Sequence, residues 1–259
     1  MPLEEIINRQ GIIISAPASG AGKTTVTLGL INAFARKRSV QPFKSGPDYI
    51  DSKFQSVAAD RPSYNLDTWA MSSSDILNMI GMVGPSDICI AEGSMGLFDG
   101  VISKGAGGNG STADLASITN WPVILVVDCA KQAQSVAALI TGFNSFRHDI
   151  TIGGIILNNI SSKRHEALIV SEVSKTKVPI LGVIPRSNEL TIPERHLGLV
   201  QAEDLSDLEQ LIFKLGTLIE ENCDLEAIAC TARKSSPAIP TLQKITPPAQ
   251  RIAIARDNA

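Results

Sequence analysis

The segment at residues 16–25 has residue types that suit the binding of a nucleotide triphosphate. It reads Ala-Pro-Ala-Ser-Gly-Ala-Gly-Lys-Thr-Thr and joins an apolar run at residues 12–14 to a helical pattern that begins near Lys23. A strand that turns tightly into a helix directs backbone N–H groups and the positive end of the helix dipole at one point, where Lys23 adds a full charge. The sequence thus predicts a binding loop for ATP. Its contact residues are Ser19, Gly20, Ala21, Gly22, Lys23, Thr24 and Thr25.

The loop also predicts a magnesium site, because the hydroxyl of Thr24 follows the loop lysine where it can bind Mg²⁺. The usual pattern, G-x-x-x-x-G-K-[ST], is kept only from Gly22 onward, since Pro17 stands where the first glycine belongs. This departure indicates a subclass of phosphate-binding loop. The alternative is a glycine-rich turn that only links a strand to a helix.

A second polar cluster follows a predicted strand at residues 40–44. Lys44, Asp48 and Asp51 lie in a segment that is dense in turn formers, so both aspartates are expected on a loop at a strand end. A lysine beside two acids could be a surface salt bridge of little consequence. The second strand of such a sheet usually lies near the first, however. We therefore expect Lys44 to reach the transferred phosphate, and the aspartates to orient metal, nucleophile or substrate.

Two further carboxylates, Glu92 and Asp128, each end a predicted buried strand and could complete the magnesium shell. Glu92 is favoured because its loop continues into Gly93 and Asp99, and a loop of roughly 18 residues is more often functional than idle. The alternative for either residue is a solvated acid at a strand end. The metal ligands are predicted to be Thr24, Glu92 and Asp48.

Three more polar residues are candidates for ligand contacts. Asn158 could read the adenine edge with its paired donor and acceptor, or it could simply form a turn. Arg195 and His196 could hold a substrate carboxylate, against the alternative of ordinary loop polarity.

Strands alternate with helices along the chain, which predicts an α/β fold with a doubly wound, mostly parallel sheet flanked by helices. Such sheets bind ligands at the carboxyl ends of their strands, where all the polar clusters occur. Beyond residues 12–14 and 40–44, strands are predicted at 88–91, 123–127, 152–157 and 178–184. Helices are predicted at 23–37, 52–59, from a Ser74 cap to 82, and at 112–119, 131–146, 163–175 and 203–221, with a short one from 225. Residues 64–69 are predicted to be irregular.

Composition narrows the function classes. The chain has 259 residues, 44% of them hydrophobic, and a net charge of −3, so nucleic acid and anionic membranes are not expected partners. No apolar run approaches the ~20 residues of a membrane span, and the first ten residues lack a signal core, so the cytoplasm is expected. The four cysteines show no C-x-x-C spacing and are interpreted as reduced, structural thiols, and the three histidines suggest no zinc site.

The C-terminal region suggests a domain boundary. Residues 235–249 contain four prolines, as expected of a linker, and residues 251–256 alternate as a strand should. We therefore predict a main domain at residues 1–233, a proline-rich linker at 234–250, and the first strand of a truncated second domain at 251–259.

Taken together, four segments resemble the cobyrinate or hydrogenobyrinate a,c-diamide synthases of cobalamin biosynthesis. They are residues 16–25, residues 44–51 (Lys-Ser-Gly-Pro-Asp-Tyr-Ile-Asp), residues 92–100 (Glu-Gly-Ser-Met-Gly-Leu-Phe-Asp-Gly) and residues 194–199 (Glu-Arg-His-Leu-Gly-Leu). The wider relatives are the dethiobiotin-synthetase-like P-loop ATPases, which form amides and share the altered phosphate loop. This resemblance covers nearly the whole chain.

The resemblance implies a ligase that uses ATP and Mg²⁺ to phosphorylate the a and c side-chain carboxylates of a corrin ring. Ammonia then displaces the phosphate from each acyl phosphate. Lys23 and Thr24 would bind ATP and Mg²⁺, Glu92 would ligate the metal, and Asn158 would face the adenine. The phosphorylation site would be shaped by Lys44, Asp48, Asp51 and Asp99, and the expected substrate contacts are Tyr49, Ser94, Arg195 and His196.

The resemblance also implies a C-terminal glutamine amidotransferase domain that delivers ammonia, and its catalytic triad is not identifiable in this sequence. A homodimer is left open, as is the ring metal, whether cobalt, none, or the nickel of a sirohydrochlorin. One alternative is a nucleotide-switch ATPase of the partitioning or septum-placement type, although those proteins usually have an early loop lysine where this chain has Ala18. Another is a dethiobiotin-synthetase-type ligase.

Overall fold

The computed structural model describes residues 8–187, 207–237 and 249–253, and within them a single sheet forms the centre of the molecule. Its strands follow the order β3-β2-β4-β1-β5-β6-β7, and all of these pairings are parallel. A two-residue strand, β8, pairs antiparallel with the start of β1. The strands are β1 Gln10–Ser15, β2 Val40–Ser45, β3 Tyr64–Leu66, β4 Ile88–Glu92, β5 Val123–Asp128, β6 Ile152–Ile160, β7 Ile180–Pro185 and β8 Arg233–Lys234.

Helices cover both faces of this sheet. Those described are α1 Lys23–Ala35, α2 Tyr49–Ala59, α3 Ser73–Met82, α4 Thr112–Thr119, α5 Val136–Phe146, α6 Lys163–Val173, α7 Leu208–Asn222 and α8 Leu225–Thr231, and a 3-10 helix at Ser174–Thr176. One core contains residues of α1, α2, α7 and α8, and the other contains residues of α3, α4, α5 and α6. The predicted doubly wound α/β fold is confirmed.

The two cores follow from the alternation of side chains along each strand. In β1, Ile12 and Ile14 face one core and Ile13 faces the other, and all three are fully buried. Because both faces are covered, the strands are continuous apolar runs. Burial of each such side chain contributes about 1.5–3 kcal/mol, which holds the carboxyl ends of the strands in fixed positions.

Two helices begin where sequence reasoning did not place them. Helix α2 begins at Tyr49 instead of residue 52, because the Asp48 side chain accepts hydrogen bonds from the backbone N–H groups of Ile50 and Asp51 and caps the helix. Helix α3 is capped by Ser72 instead of Ser74, since Ser72 and Asp75 form a reciprocal capping box.

Three further elements, β3, α5 and β7, also differ from the sequence prediction. Residues 64–66 form strand β3 instead of an irregular stretch, because they pair with β2 through Phe43, Lys44 and Ser45. Helix α5 begins at Val136 instead of residue 131, and the residues before it form turns. Strand β7 begins at Ile180, after Pro179, which lacks a backbone N–H donor.

Little of the predicted linker and C-terminal strand is described. Lys234 belongs to β8, and the backbone N–H of Ser235 donates to the carbonyl of Arg9 at 2.7 Å. The described residues 251–253 form no strand, and the rest of the predicted strand lies outside the described residues. The proposed domain boundaries stay predictions. In the described part of the chain, every helix is too short or too polar to cross a bilayer.

All four cysteines have free thiols. Burial raises the pKa of Cys89 to about 11 and that of Cys223 to about 12, while Cys230 is exposed. A raised pKa disfavours the reactive thiolate, so the first two thiols act as small apolar side chains.

Candidate nucleotide and phosphoryl-transfer site

Three adjacent strands bring the principal polar residues together at their carboxyl ends. Strand β4 lies between β1 and β2, and Glu92, its last residue, is in register with Ile14 on one side and Lys44 on the other. The phosphate loop follows β1, so Glu92 lies between that loop and Lys44. We expected β2 to lie near β1, and β4 in fact separates the two strands.

The phosphate loop turns through two glycines in the left-handed region of the backbone map. Gly20 has φ of +78° and Gly22 has φ of +85°, a conformation that other residues adopt at a cost. Gly22 occupies the cap position of α1, and among the described residues no side chain caps that helix. The N-terminus of α1 therefore presents backbone donors and a positive dipole end, which fits a phosphate group.

The side chain of Asn158 contacts the backbone of the phosphate loop. Its side-chain amide donates to the carbonyl of Ala21 at 3.0 Å, and a Cβ on Gly22 would lie only 2.3 Å from the same nitrogen. Asn158 belongs to the last residue pair between β5 and β6, in register with Asp128. The structure thus places Asn158 at the loop, and its contact with adenine stays a prediction.

The ammonium group of Lys23 reaches across the loop and donates to the carbonyl of Met95 at 2.9 Å. Burial lowers its pKa, the nearby charge of Lys44 lowers it further, and Glu92, Asp51 and Asp99 partly oppose both effects. A partly buried cation held by a neutral carbonyl fits an incoming phosphate, which can replace that partner with a full negative charge.

Glu92 is the centre of the site. It is fully buried, and its Oε1 accepts a hydrogen bond from the Thr24 hydroxyl at 2.7 Å and forms an ion pair with the Lys44 ammonium at 3.2 Å. Its Oε2 accepts from the side-chain amide of Gln55 at 2.8 Å. A hydroxyl and a carboxylate at this spacing are the oxygen ligands that Mg²⁺ prefers, so these side chains fit the expected metal.

Lys44 is a buried cation between two carboxylates. It is 3% exposed, and its Nζ lies 2.7 Å from Asp51 Oδ2 and 3.2 Å from Glu92 Oε1. Burial opposes the charged form, but the two carboxylates outweigh it and raise the pKa of Lys44. Burial and the charge of Glu92 raise the pKa of Asp51 to about 6, against the lowering effect of Lys44.

Asp48 has a different role from Asp51. One of its oxygens is used to cap α2, and the other lies 4.0 Å from Lys44 Nζ. Burial is opposed by the N–H donor of Asp51 and by Lys44, which together lower the pKa of Asp48. Asp51 lies in the first turn of α2, so the prediction of a loop position is wrong for Asp51, whereas Asp48 ends the short loop between β2 and α2 and caps the helix. Asp48 as a metal ligand stays a prediction.

Hydrogen bonds hold the loop after β4 against the end of β2 and the start of α4. Ser94 donates to the carbonyl of Ser45 at the end of β2, and the carbonyl of Ser94 accepts from the Thr112 hydroxyl at 3.2 Å. Asp99 is exposed, and its Oδ2 accepts from the backbone N–H of Gly96 at 2.9 Å. Tyr49, at the start of α2, is 42% exposed, and its contact with a substrate stays a prediction.

The remaining sequence candidates are Arg195, His196 and Asp128. Arg195 and His196 lie outside the described residues. Asp128, the alternative to Glu92, accepts hydrogen bonds from the Asn159 side chain at 2.8 Å and the Ala130 backbone at 3.1 Å.

Sequence reasoning missed Gln55, which is fully buried and contacts Glu92. A signal was present: Gln55 follows Asp51 by four residues and Asp48 by seven, so the three share one face of α2. A polar stripe at helical spacing beside a predicted phosphate site could have identified it.

Known proteins are similar to this chain in sequence. A family model described as the CobQ/CobB/MinD/ParA nucleotide binding domain matches residues 12–200. The hydrogenobyrinate a,c-diamide synthase of Rhodobacter capsulatus is 45% identical over 251 residues, and that of Brucella anthropi is 44% identical over 255 residues. Each match covers 96% of this chain and 58% of the relative, so the chain spans little more than half the length of these curated relatives.

Among solved structures, the chain is similar to the MinC:MinD cell division protein complex of Aquifex aeolicus. The identity is 16% and the TM-score is 0.48, with 86% of this chain and 93% of that chain covered. This likeness is too remote to support an argument about function.

Proposed function

The chain belongs to the CobQ/CobB/MinD/ParA nucleotide binding domain family, and we propose that it is an ATP- and Mg²⁺-dependent amidoligase that acts on the a and c side-chain carboxylates of a corrin ring. The reaction class is supported by the geometry of the site. The substrate is supported by the names of the relatives in Rhodobacter and Brucella, both hydrogenobyrinate a,c-diamide synthases.

The observation that carries the proposal is the sharing of one buried carboxylate oxygen between the two halves of the site. Glu92 Oε1 contacts Thr24, at the start of α1 behind the phosphate loop, and Lys44, at the end of β2. A phosphoryl group bound at the loop would therefore lie beside a second cation that is not part of the loop. This arrangement suits transfer to an acceptor that approaches from β2 and α2.

Each side chain has a proposed role in that transfer. Lys23 and the loop N–H groups would bind the nucleotide phosphates, and Thr24 and Glu92 would hold Mg²⁺. When bound, Mg²⁺ supplies positive charge that offsets the charge developing on the phosphate oxygens. Lys44 would bind the oxygens of the group in transit, because its raised pKa keeps it charged. Asp51 holds Lys44 in place through their 2.7 Å contact.

The proposed chemistry proceeds through two bond exchanges at each carboxylate. A carboxylate oxygen of the corrin side chain forms a bond to the γ-phosphorus, and the bond to ADP breaks. The nitrogen of ammonia then bonds to the activated carbonyl carbon, phosphate leaves with the bridging oxygen, and the nitrogen loses a proton. Activation is needed because a carboxylate oxygen is a poor leaving group until it is phosphorylated.

We also propose that the ammonia comes from glutamine, through a C-terminal glutaminase domain of the kind the sequence resemblance implies. The relatives extend beyond the matched region, which leaves room for such a domain in them. The described residues supply the ATP-dependent half of the reaction in this account.

Mass spectrometry of the product tests the proposal. The purified chain is incubated with Mg-ATP and hydrogenobyrinate, with either ammonium or glutamine as nitrogen source, and a dethiobiotin precursor acid serves as the control substrate. We expect two successive carboxylate-to-amide exchanges with ammonium and none with glutamine. Amidation of the control acid alone, or ATP hydrolysis with no amide formed, would contradict the assignment. Amide formation from glutamine would contradict the separate ammonia source.

A further inference from the structure

Gln55 makes the second-closest polar contact to Glu92 and lies outside the phosphate loop. Its Nε2 donates to Glu92 Oε2 at 2.8 Å, and its Oε1 accepts from the Ser63 hydroxyl at 2.8 Å. The Gln55 side chain is fully buried within α2. A hydrogen-bonded chain therefore runs from Ser63 through Gln55 and Glu92 to Thr24.

This contact decides which way the Glu92 carboxylate faces. Its two oxygens have different partners: Oε2 is held by Gln55, and Oε1 is left to Thr24 and Lys44. Without Gln55, Oε2 would be a buried acceptor without its partner, which is costly. The carboxylate could then turn to give both oxygens to Lys44, and Oε1 would leave the position beside Thr24.

Ser63 sets the orientation of Gln55 itself. An amide can present either its oxygen or its nitrogen, and the Ser63 hydroxyl donates to the oxygen. That bond directs the NH₂ group at Glu92. Ser63 also receives support, because its backbone N–H donates to the Ser56 hydroxyl at 2.9 Å.

From these contacts we infer that Gln55 is a positioning residue for the metal site: it fixes the Glu92 carboxylate so that Oε1 is presented, with Thr24, to Mg²⁺. The inference rests on the proposed function for the presence of the metal. Gln55 acts through Glu92 and does not itself touch the nucleotide in this account. Outer partners of metal ligands commonly contribute about 10–100-fold to metal affinity or activity.

The test measures how much Mg²⁺ strengthens nucleotide binding. A non-hydrolysable ATP analogue is titrated calorimetrically into the protein with Mg²⁺ and with a chelator, and the ratio of the two Kd values gives the magnesium enhancement. Gln55→Met keeps the side-chain length and removes the donor. The matched control is Gln41→Met, because Gln41 is equally buried but donates to the carbonyls of Pro42 and Pro62 instead of to Glu92.

We expect Gln55→Met to reduce the magnesium enhancement by about 10-fold or more while the magnesium-free Kd is unchanged. Gln41→Met should keep the wild-type enhancement, even if it lowers Tm. Ser63→Ala, a milder change, should give a smaller reduction in the same direction, and it serves if Gln55→Met does not fold.

An unchanged enhancement in the Gln55 and Ser63 variants would overturn the inference. An equal increase of the Kd with Mg²⁺ and of the Kd with a chelator would also overturn it, because that pattern indicates a general packing role for Gln55. If wild-type protein shows no magnesium enhancement, both this inference and the magnesium part of the proposed function fail. If the enhancement behaves as expected but no amide forms, the proposed function fails alone.

Discussion

Replacement of Lys44 by methionine should destabilise the protein strongly and in a way that depends on pH. Methionine keeps most of the aliphatic stem and removes the charge. Lys44 Nζ lies 2.7 Å from Asp51 and 3.2 Å from Glu92, and at an effective dielectric constant of about 20 these contacts correspond to about 6 and about 5 kcal/mol of attraction. Much of this is offset by the cost of burying the ammonium group. Removal of one partner from a buried pair nevertheless costs about 3–5 kcal/mol, because a charge is left without compensation.

The free energy of unfolding of the variant should depend on pH because the carboxyl group of Asp51 gains or loses a proton. In the wild type its pKa is raised to about 6, while Lys44 still lowers it. Loss of Lys44 removes that lowering effect, so the variant's folded state keeps a proton on Asp51 above pH 6, whereas its unfolded state does not. Stability rises with pH only where the unfolded state binds more protons, so the variant loses stability as pH rises, by about 1.4 kcal/mol per pH unit. The wild-type Asp51 contributes such a slope only up to about pH 6, where it loses its proton in the folded state.

Guanidinium unfolding at several pH values between about 6 and 8.5 measures this difference. The gap in free energy of unfolding between wild type and Lys44→Met should widen as pH increases, towards the pKa of Asp51 in the variant. Lys163→Met is the control, because that side chain is 94% exposed and pairs with Glu166 at the surface. A gap below about 1 kcal/mol, or one independent of pH, would refute the description of Lys44 as a buried cation that compensates two carboxylates.

Three further predictions concern the loop, a helix cap and the acid limb of the pH profile. Gly22→Ala should lower nucleotide affinity much more than Gly20→Ala in a calorimetric titration. Both glycines have positive φ, but a Cβ added at Gly22 would collide with Asn158, whereas none of the described residues lies within 4 Å of a Cβ added at Gly20. Equal effects would contradict this prediction. Ser72→Ala should lower the free energy of unfolding by about 1 kcal/mol through loss of the capping box, with nucleotide affinity unchanged. The rate of amide formation should fall as pH drops through about 6, where Asp51 takes up a proton, and Asp51→Asn should flatten that limb; an unchanged limb would exclude Asp51 as its source.

The sheet and the phosphate loop could be predicted because their signals are local. Apolar runs in alternation with helical patterns indicate a parallel sheet, and a lysine and threonine at the start of a helix indicate a phosphate site. Glu92 and Lys44 were predicted for the same reason, since each stands at a strand end. The strand order was less accessible, because no local signal shows that β4 separates β1 from β2.

Contacts that depend on where a helix begins, or on which side chains are buried, were harder to predict from the sequence than the sheet and the phosphate loop. The sequence does not show that Asp48 caps α2, because the same residue types form turns and cap helices, and only the hydrogen bonds from Ile50 and Asp51 distinguish the two roles. Gln55 was missed because a single glutamine in a helix is usually on the surface, and its burial depends on the packing of α2 against the sheet.

The central claim is that the phosphoryl group bound between the loop and Lys44 is transferred to a carboxylate. Isotope transfer tests this directly, with hydrogenobyrinate whose side-chain carboxylates carry ¹⁸O, unlabelled water, Mg-ATP and ammonium. One ¹⁸O atom is expected in inorganic phosphate for each amide formed, because the phosphate leaves with the bridging carboxylate oxygen. Inorganic phosphate that carries no label, with oxygen taken from water, would contradict the account and would indicate a nucleotide-hydrolysing switch instead.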